Sequence, residues 1–258
     1  MHSTPPIVSI RNARKSFVPA NGVPVLAIER LSFDVADGEY IAIVGPTGAG
    51  KSVLFDCLTG LKTLDDGEIL VGNTSIPAYL EKRKGRITRI FQEDRLLPWL
   101  SATDNAALGL QIQGVPENER REKAAYWLKA VGLSAFLNAY PHELSGGMRQ
   151  RVNIARAFAP SPDIVLLDEA FSALDEITAA RLREDFKKVA QAQKMTYLIV
   201  THSIEEAIFL ADRIVVFGAP ARLMADIKVP DGAWENKAVK DQIRNEIREL
   251  ILAGARKH

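Results

Sequence analysis

Three glycines fall within the first six residues of Gly45-Pro46-Thr47-Gly48-Ala49-Gly50-Lys51-Ser52, and what flanks them leaves few ways to fold. Before them runs Tyr40-Ile41-Ala42-Ile43-Val44, a short apolar segment typical of a strand buried on both faces. After them, Ser52 to Leu58 has helical spacing until Gly60 stops it. Strand, glycine-rich loop and helix in that order make a phosphate loop. The glycines let the backbone curl so that successive N–H groups converge on the β- and γ-phosphates, and the helix start adds a favourable field. Lys51 reaches the terminal phosphates as a point charge, and the Ser52 hydroxyl ligates Mg2+. A chance glycine turn opening a helix explains the local pattern but not all eight positions with both flanks. The loop alone says only "nucleotide", because kinases, GTPases and transport ATPases share it.

The rest of the chain predicts an α/β fold. Ile7 to Ile10 and Val25 to Val35 alternate like half-buried strands, and Asp37-Gly38 predicts a hairpin turn from the second into Tyr40–Val44. Gly67 to Val71 reads as a further strand. From about Glu93 to Tyr140 strand patterns vanish, and Glu117 to Val131 is amphipathic, with Ala124, Leu128 and Val131 on one face. Strands return at Ile164–Leu167, Thr196–Val200 and Ile214–Phe217, separated by helices, the first with Leu182, Phe186 and Val189 at core spacing. Strands alternating with helices predict a parallel sheet with helices on its faces. Glu235 to Ala253 reads as a charged terminal helix.

Composition excludes several classes. The 258 residues are 47% hydrophobic and 25% charged with a formal net charge of +1, so no basic field points to nucleic acid. The local run Lys82-Arg83-Lys84 with Arg86 and Arg89 reads as a solvated face. Cys57 is the sole cysteine, which rules out a disulfide framework and a cysteine zinc site and suits a reducing compartment. Met1 to Pro6 has no charged head leading into an apolar core, so no secretory signal is expected. No apolar run nears the roughly 18 residues of a membrane span.

Two further motifs carry chemistry. Ile164-Val165-Leu166-Leu167-Asp168-Glu169 is an apolar strand delivering two carboxylates at its end, with Asp168 placed for Mg2+ and Glu169 for a general base on water. Adjacent acids there could instead cap the next helix. Leu144-Ser145-Gly146-Gly147-Met148-Arg149-Gln150-Arg151 is a second helix start, where Ser145 can cap and Gly146 and Gly147 expose backbone N–H groups, making a second anion site.

That segment resembles the signature sequence of ABC ATPases, and the motifs from about Ile7 to Phe217 follow that family's order. The resemblance implies a P-loop NTPase with a RecA-like parallel-sheet core, an N-terminal antiparallel β-subdomain and an inserted α-helical subdomain. It implies an ATP-binding domain over residues 6–240, its helical part about 93–158, and a C-terminal helix over 235–258. ATP and Mg2+ are the implied cofactors. Ser145, Gly146 and Gly147 would complete the ATP site of a second ATP-binding subunit, identical or a paralogue, and Asp175 would lie in the loop through which the subunits sense each other. Asp175 could also cap a helix. Gln92 resembles the glutamine that senses Mg2+ and the γ-phosphate, and His202 the switch histidine. Phe17 stands where the family stacks a ring on adenine, although a core role fits it too.

Phe91-Gln92-Glu93-Asp94-Arg95-Leu96-Leu97-Pro98-Trp99 is similar to ATPases of nitrate, sulfonate and taurine importers. This implies transmembrane permease subunits docking beside Gln92, a periplasmic solute-binding protein, and a peripheral position on the cytoplasmic face of the inner membrane. Leu96, Leu97 and Trp99 suit such a groove or a helical core equally. Ala170 stands where most members have proline, a change in backbone stiffness compatible with hydrolysis. An exporter ATPase would share every catalytic residue. DNA-acting members would need a long coiled-coil or zinc insert, and ribosome-acting members a second cassette. A GTPase or small-molecule kinase would leave the signature unexplained, and the nearest guanine-reading string, Asn236-Lys237-Ala238-Val239, lacks its aspartate.

Overall fold

The computed structural model describes residues 5–19, 22–83 and 86–255. In chain order the elements are β1 (Val8–Phe17), β2 (Val25–Val35), β3 (Tyr40–Val44), α1 (Lys51–Leu58), β4 (Asp66–Val71), β5 (Thr74–Ser75), α2 (Ile76–Lys82) and β6 (Ile87–Phe91). There follow α3 (Ala102–Ile112), α4 (Glu117–Ala130), α5 (Gly146–Phe158), β7 (Ile164–Asp168), α6 (Glu176–Ala192), β8 (Thr196–Val200), α7 (Ile204–Leu210), β9 (Arg213–Phe217), β10 (Leu223–Lys228) and α8 (Lys237–Ala255). The chain divides into one unit of residues 1–81 and 197–258 and another of residues 82–196.

In the first unit, β2, β1, β4 and β5 form an antiparallel sheet in that order, with β2 meeting β1 from Phe17↔Val25 to Val8↔Val35. The register slips around Asn12, which takes φ 47, a left-handed conformation that asparagine tolerates better than most residues. In the same unit, β3 lies parallel between β8 and β9, and all five of its residues are buried, as its apolar run predicts. β10 closes this side antiparallel to β9.

The second unit carries the parallel pair β6 and β7 and helices α3 to α6. Its interior runs along a chain of rings: Trp127 of α4 lies 5.2 Å from Phe158 of α5, Phe158 lies 5.6 Å from Phe186 of α6, and Phe186 lies 5.9 Å from Phe171. Truncating one such ring to alanine costs about 3–5 kcal/mol.

Two sequence expectations fail in whole or in part, and one strand is unannounced by the sequence. Asp37-Gly38 is a turn, with Gly38 at φ 75, but β2 and β3 join different sheets and make no hairpin. β10 was not expected, because its half-exposed residues lack the apolar density of the neighbouring strands. Only part of the basic run is a solvated face: Lys82 and Arg83 are exposed as expected, but Arg86 pairs with Asp163 and Arg89 with Asp168, the Arg89 side chain being 8% exposed. Opposite charges supplied by β7 and the loop before it offset the desolvation. Lys84 of that run, and Met1 to Thr4 of the segment read for a leader, lie outside the described residues.

Candidate functional site

In the first unit, β3 ends beside β8, with Ile43 opposite Val200 and the Thr201 N–H donating to the Ile43 carbonyl at 3.3 Å. The phosphate loop and His202 therefore leave the same sheet end. The carboxyl ends of parallel strands are where open α/β sheets bind ligands. The loop's glycines are sterically required. A Cβ on Gly45 would sit 2.7 Å from the Phe217 carbonyl oxygen, and one on Gly50 would sit 2.1 Å from that of Ala27. Gly48 and Gly50 both take left-handed φ, 76 and 81. Gly50 caps α1 without a side-chain bond, so the helix start is shaped by backbone alone. Ser52, Thr47 and Gly48 are exposed, and Pro46, between them and the buried Gly45 and Ala49, is half-buried.

Lys51 is 5% exposed, and its ammonium donates to the carbonyls of Gly45 (2.9 Å) and Pro46 (2.8 Å). The loop thus holds its own cation at its mouth. Phe17, at the end of β1, is half-buried and outside the core. Lys15 and Lys62 lie 5.6 and 5.7 Å from its ring centroid. The segment around it is pinned by Asp65, which accepts from Lys15 Nζ at 2.7 Å and from the Ser16 N–H and hydroxyl at 2.6 Å each. Those bonds, the Lys15 one foremost, hold the Asp65 carboxyl well below the usual carboxylate range.

In the second unit, β6 and β7 run parallel in register, with Phe91 opposite Asp168. Gln92 and Glu169, the next residue after each strand, therefore emerge side by side. Gln92 is exposed, and Asp168 is mostly buried against Arg89. Glu169 takes φ 51, a left-handed backbone that costs a non-glycine residue on the order of 1–2 kcal/mol. Its carbonyl accepts from both the N–H (3.1 Å) and the hydroxyl (2.8 Å) of Ser172, which supports that conformation.

Ser145 caps α5 by accepting from the Met148 N–H at 3.3 Å. Gly146 is exposed and Gly147 half-buried, where a Cβ would meet Thr178 Cγ2 at 2.7 Å. Asp175 caps α6 by accepting from the Thr178 N–H at 3.0 Å, so its capping role is real; that bond lowers its pKa. Of the residues around Gln92, Leu96 is buried while Trp99 is 69% exposed. Among the described residues no group of three or more His, Cys, Asp or Glu side chains could hold a metal ion, and no helix is long and apolar enough to cross a membrane.

Sequence reasoning missed four polar residues. Arg89 pairs with Asp168 and lies 4.8 Å over the Phe91 ring. Gln150 and Asn153 of α5 are buried at 3% and 1% exposure, and Arg156 donates to the carbonyls of Asp94 (2.7 Å) and Arg95 (2.9 Å). The signal was present: Arg149, Gln150, Asn153 and Arg156 recur at helical spacing on one face.

Comparison with known proteins agrees with these motifs. The sequence profile described as "ABC transporter" matches residues 28–172. The taurine import ATP-binding protein of Rhizobium johnstonii is 40% identical over 220 residues, 85% of this chain and 82% of that protein. The aliphatic sulfonates import ATP-binding protein of Bacillus cereus is 36% identical over 250 residues, 96% of each chain. Among solved structures, a dimeric post-hydrolysis state of an ATP-binding cassette bound to ADP and Pi superposes with a TM-score of 0.76 at 31% identity, covering 86% of this chain and 99% of that one.

Proposed function

This chain belongs to the ABC transporter family as an ATP-binding, ATP-hydrolysing subunit, and on that premise we propose that it powers uptake of a small sulfonate-like or nitrate-like solute through separate permease subunits. The observation that carries the importer reading is the likeness, over 96% of both chains, to a protein named for aliphatic sulfonate import. The exposed Trp99, seven residues after Gln92, supplies an apolar anchor for a permease helix. Such a subunit works peripherally, on the cytoplasmic face of the membrane, with a solute-binding protein serving the permease from the other side. On this reading residues 6–240 are the ATP-binding domain, with a helical part at about 93–158, and α8 (Lys237–Ala255) is the C-terminal helix.

The geometry of each unit supports the following roles. The phosphate loop, Gly45 to Ser52, cradles the triphosphate of ATP, and Lys51 gives up loop carbonyls for phosphate oxygens. Phe17 offers a ring to adenine, worth on the order of 1 kcal/mol. With no carboxylate-rich cluster among the described residues, Mg2+ fits as an ion held largely by phosphates and water, as is usual for it. The Ser52 hydroxyl, Asp168 and the Gln92 amide would be its protein ligands, and when bound it neutralises charge on the phosphates. Glu169 orients and deprotonates the attacking water, and His202 steadies the γ-phosphate. Ser145, Gly146 and Gly147 present the α5 start to the nucleotide of a second copy, and Asp175 lies at that interface.

A strain lacking this chain should lose accumulation of radiolabelled taurine or an alkanesulfonate, and regain it with the wild type. Efflux in place of uptake would turn the reading toward an exporter, and uptake restored by Glu169→Gln would mean that transport does not depend on the role assigned to Glu169. The shared site makes a second demand. Turnover per chain should rise with protein concentration and saturate. Ser145→Arg should leave ATP binding to the single chain within about twofold while removing most turnover. A rate per chain that does not vary with concentration would sink the two-copy site.

A further inference from the structure

Gln150 sits one turn inside the signature helix α5, buried to 3% exposure. Its amide nitrogen donates to two carbonyls from different segments: that of Phe91, the last residue of β6, at 3.2 Å and that of Ala170, in the loop after β7, at 2.6 Å. Phe91 immediately precedes Gln92, and Ala170 immediately follows Glu169. The amide oxygen accepts from the Asn153 Nδ2 at 3.3 Å, so both ends of the side chain are engaged. The same helix face grips the Gln92 loop again through Arg149 Nε to Asp94 Oδ2 at 2.9 Å and Arg156 to the Asp94 carbonyl.

We propose that Gln150 is a positioning residue for hydrolysis, tying the signature helix to the two loops that carry Gln92 and Glu169. The proposal rests on the hydrolytic roles assigned above to those two residues. A primary amide suits the task because it carries two N–H donors on one nitrogen, one for each carbonyl. The strained backbone of Glu169 makes the anchoring consequential. Ser172 holds the Glu169 carbonyl, Gln150 holds the next one, and together they over-determine a left-handed conformation that the chain would otherwise leave. Since β6 and β7 emerge in register, one amide spans both loop starts. A shift of α5 on meeting a second copy's nucleotide therefore reaches the general base through a single side chain.

The test compares Gln150→Met, close in length but without donors, with Gln150→Glu across pH. Gln150→Met should lower kcat by about tenfold to a hundredfold, the cost of a misplaced catalytic group. Its ATP dissociation constant should stay within about twofold of wild type. In Gln150→Glu the ionised carboxylate repels both carbonyls, whereas the protonated acid donates one O–H. Burial raises the carboxyl's pKa, so turnover relative to wild type should climb severalfold as pH falls from about 8 to about 6. The charged groups on the surrounding elements are Arg149 and Arg156 of α5, Arg89 and Asp168 of the strand pair, and Asp94 and Glu169 of the loops. They are shared by both variants, so the ratio of Gln150→Glu to Gln150→Met isolates the introduced acid.

A Gln150→Met enzyme with wild-type kcat, or a Gln150→Glu ratio flat with pH, overturns the proposal. Should Gln150→Met fail to fold, the pH ratio of Gln150→Glu to wild type decides alone. Glu169→Gln measured alongside separates the two layers. If that variant hydrolyses ATP at the wild-type rate, the general-base reading has failed. If it is inactive while Gln150→Met is unimpaired, only the positioning role has failed.

Discussion

Glu169→Gln should bind ATP with wild-type affinity, lose about 10²–10⁴-fold in turnover, and accumulate a nucleotide-bound pair of chains. The loss corresponds to about 3–5 kcal/mol of transition-state stabilisation. The expectation follows from placement. Glu169 stands at the end of a buried strand, next to Gln92 on the neighbouring strand, with its backbone carbonyl held by Ser172. Glutamine matches the side chain in size and keeps the same left-handed backbone at the same cost, so fold and binding are spared while the proton acceptor is removed. Phosphate release under saturating ATP, with gel filtration of the ATP-loaded protein, reads both consequences. Turnover within a few-fold of wild type would remove Glu169 from the chemistry and leave Asp168 or a phosphate oxygen as the acceptor.

Lys51→Ala should weaken ATP binding by about tenfold to a hundredfold or more, since each charge-assisted hydrogen bond is worth about 1.5–3 kcal/mol. The ammonium is already desolvated and held at the loop by Gly45 and Pro46, so part of the cost of ordering it has been met before nucleotide arrives. Its removal leaves those carbonyls to water. That should cost the free protein about 1 kcal/mol, or about 2–4 °C in melting temperature. Lys51→Arg should not rescue, because a planar fork cannot replace a point charge in a loop this tight, where even a Cβ on Gly45 or Gly50 would meet backbone. Titration calorimetry with ATP, beside a thermal melt without it, checks both quantities. Unchanged affinity would contradict the phosphate role outright.

Much of this was legible from local pattern. β2 and β3 span the residues their alternation and apolar run predict, and α5 ends at Phe158 just before Pro160. Ser145 and Asp175 cap because residues of their type at a helix start satisfy otherwise orphaned N–H groups. The failures have a common origin. Asp37-Gly38 does turn the chain, but which strand comes to lie beside which is decided by partners far away in sequence. Arg86 and Arg89, at the far end of the basic run, leave solvent because acids some 80 residues on, Asp163 and Asp168, are brought against them. β10 forms an edge on β9 with half-exposed residues that carry no periodicity strong enough to announce it.

By itself the sequence determined the chemistry this chain can perform: a phosphate loop, a strand ending in Asp168-Glu169, and a capped Gly146-Gly147 helix start are each written in adjacent residues, because backbone geometry and side-chain reach act locally. Tertiary structure alone decided how that chemistry is held. The register of β6 on β7 sets Gln92 beside Glu169, and Gln150 bonds carbonyls 59 and 20 residues away from itself. Such contacts depend on packing between distant segments, which no window of the sequence contains.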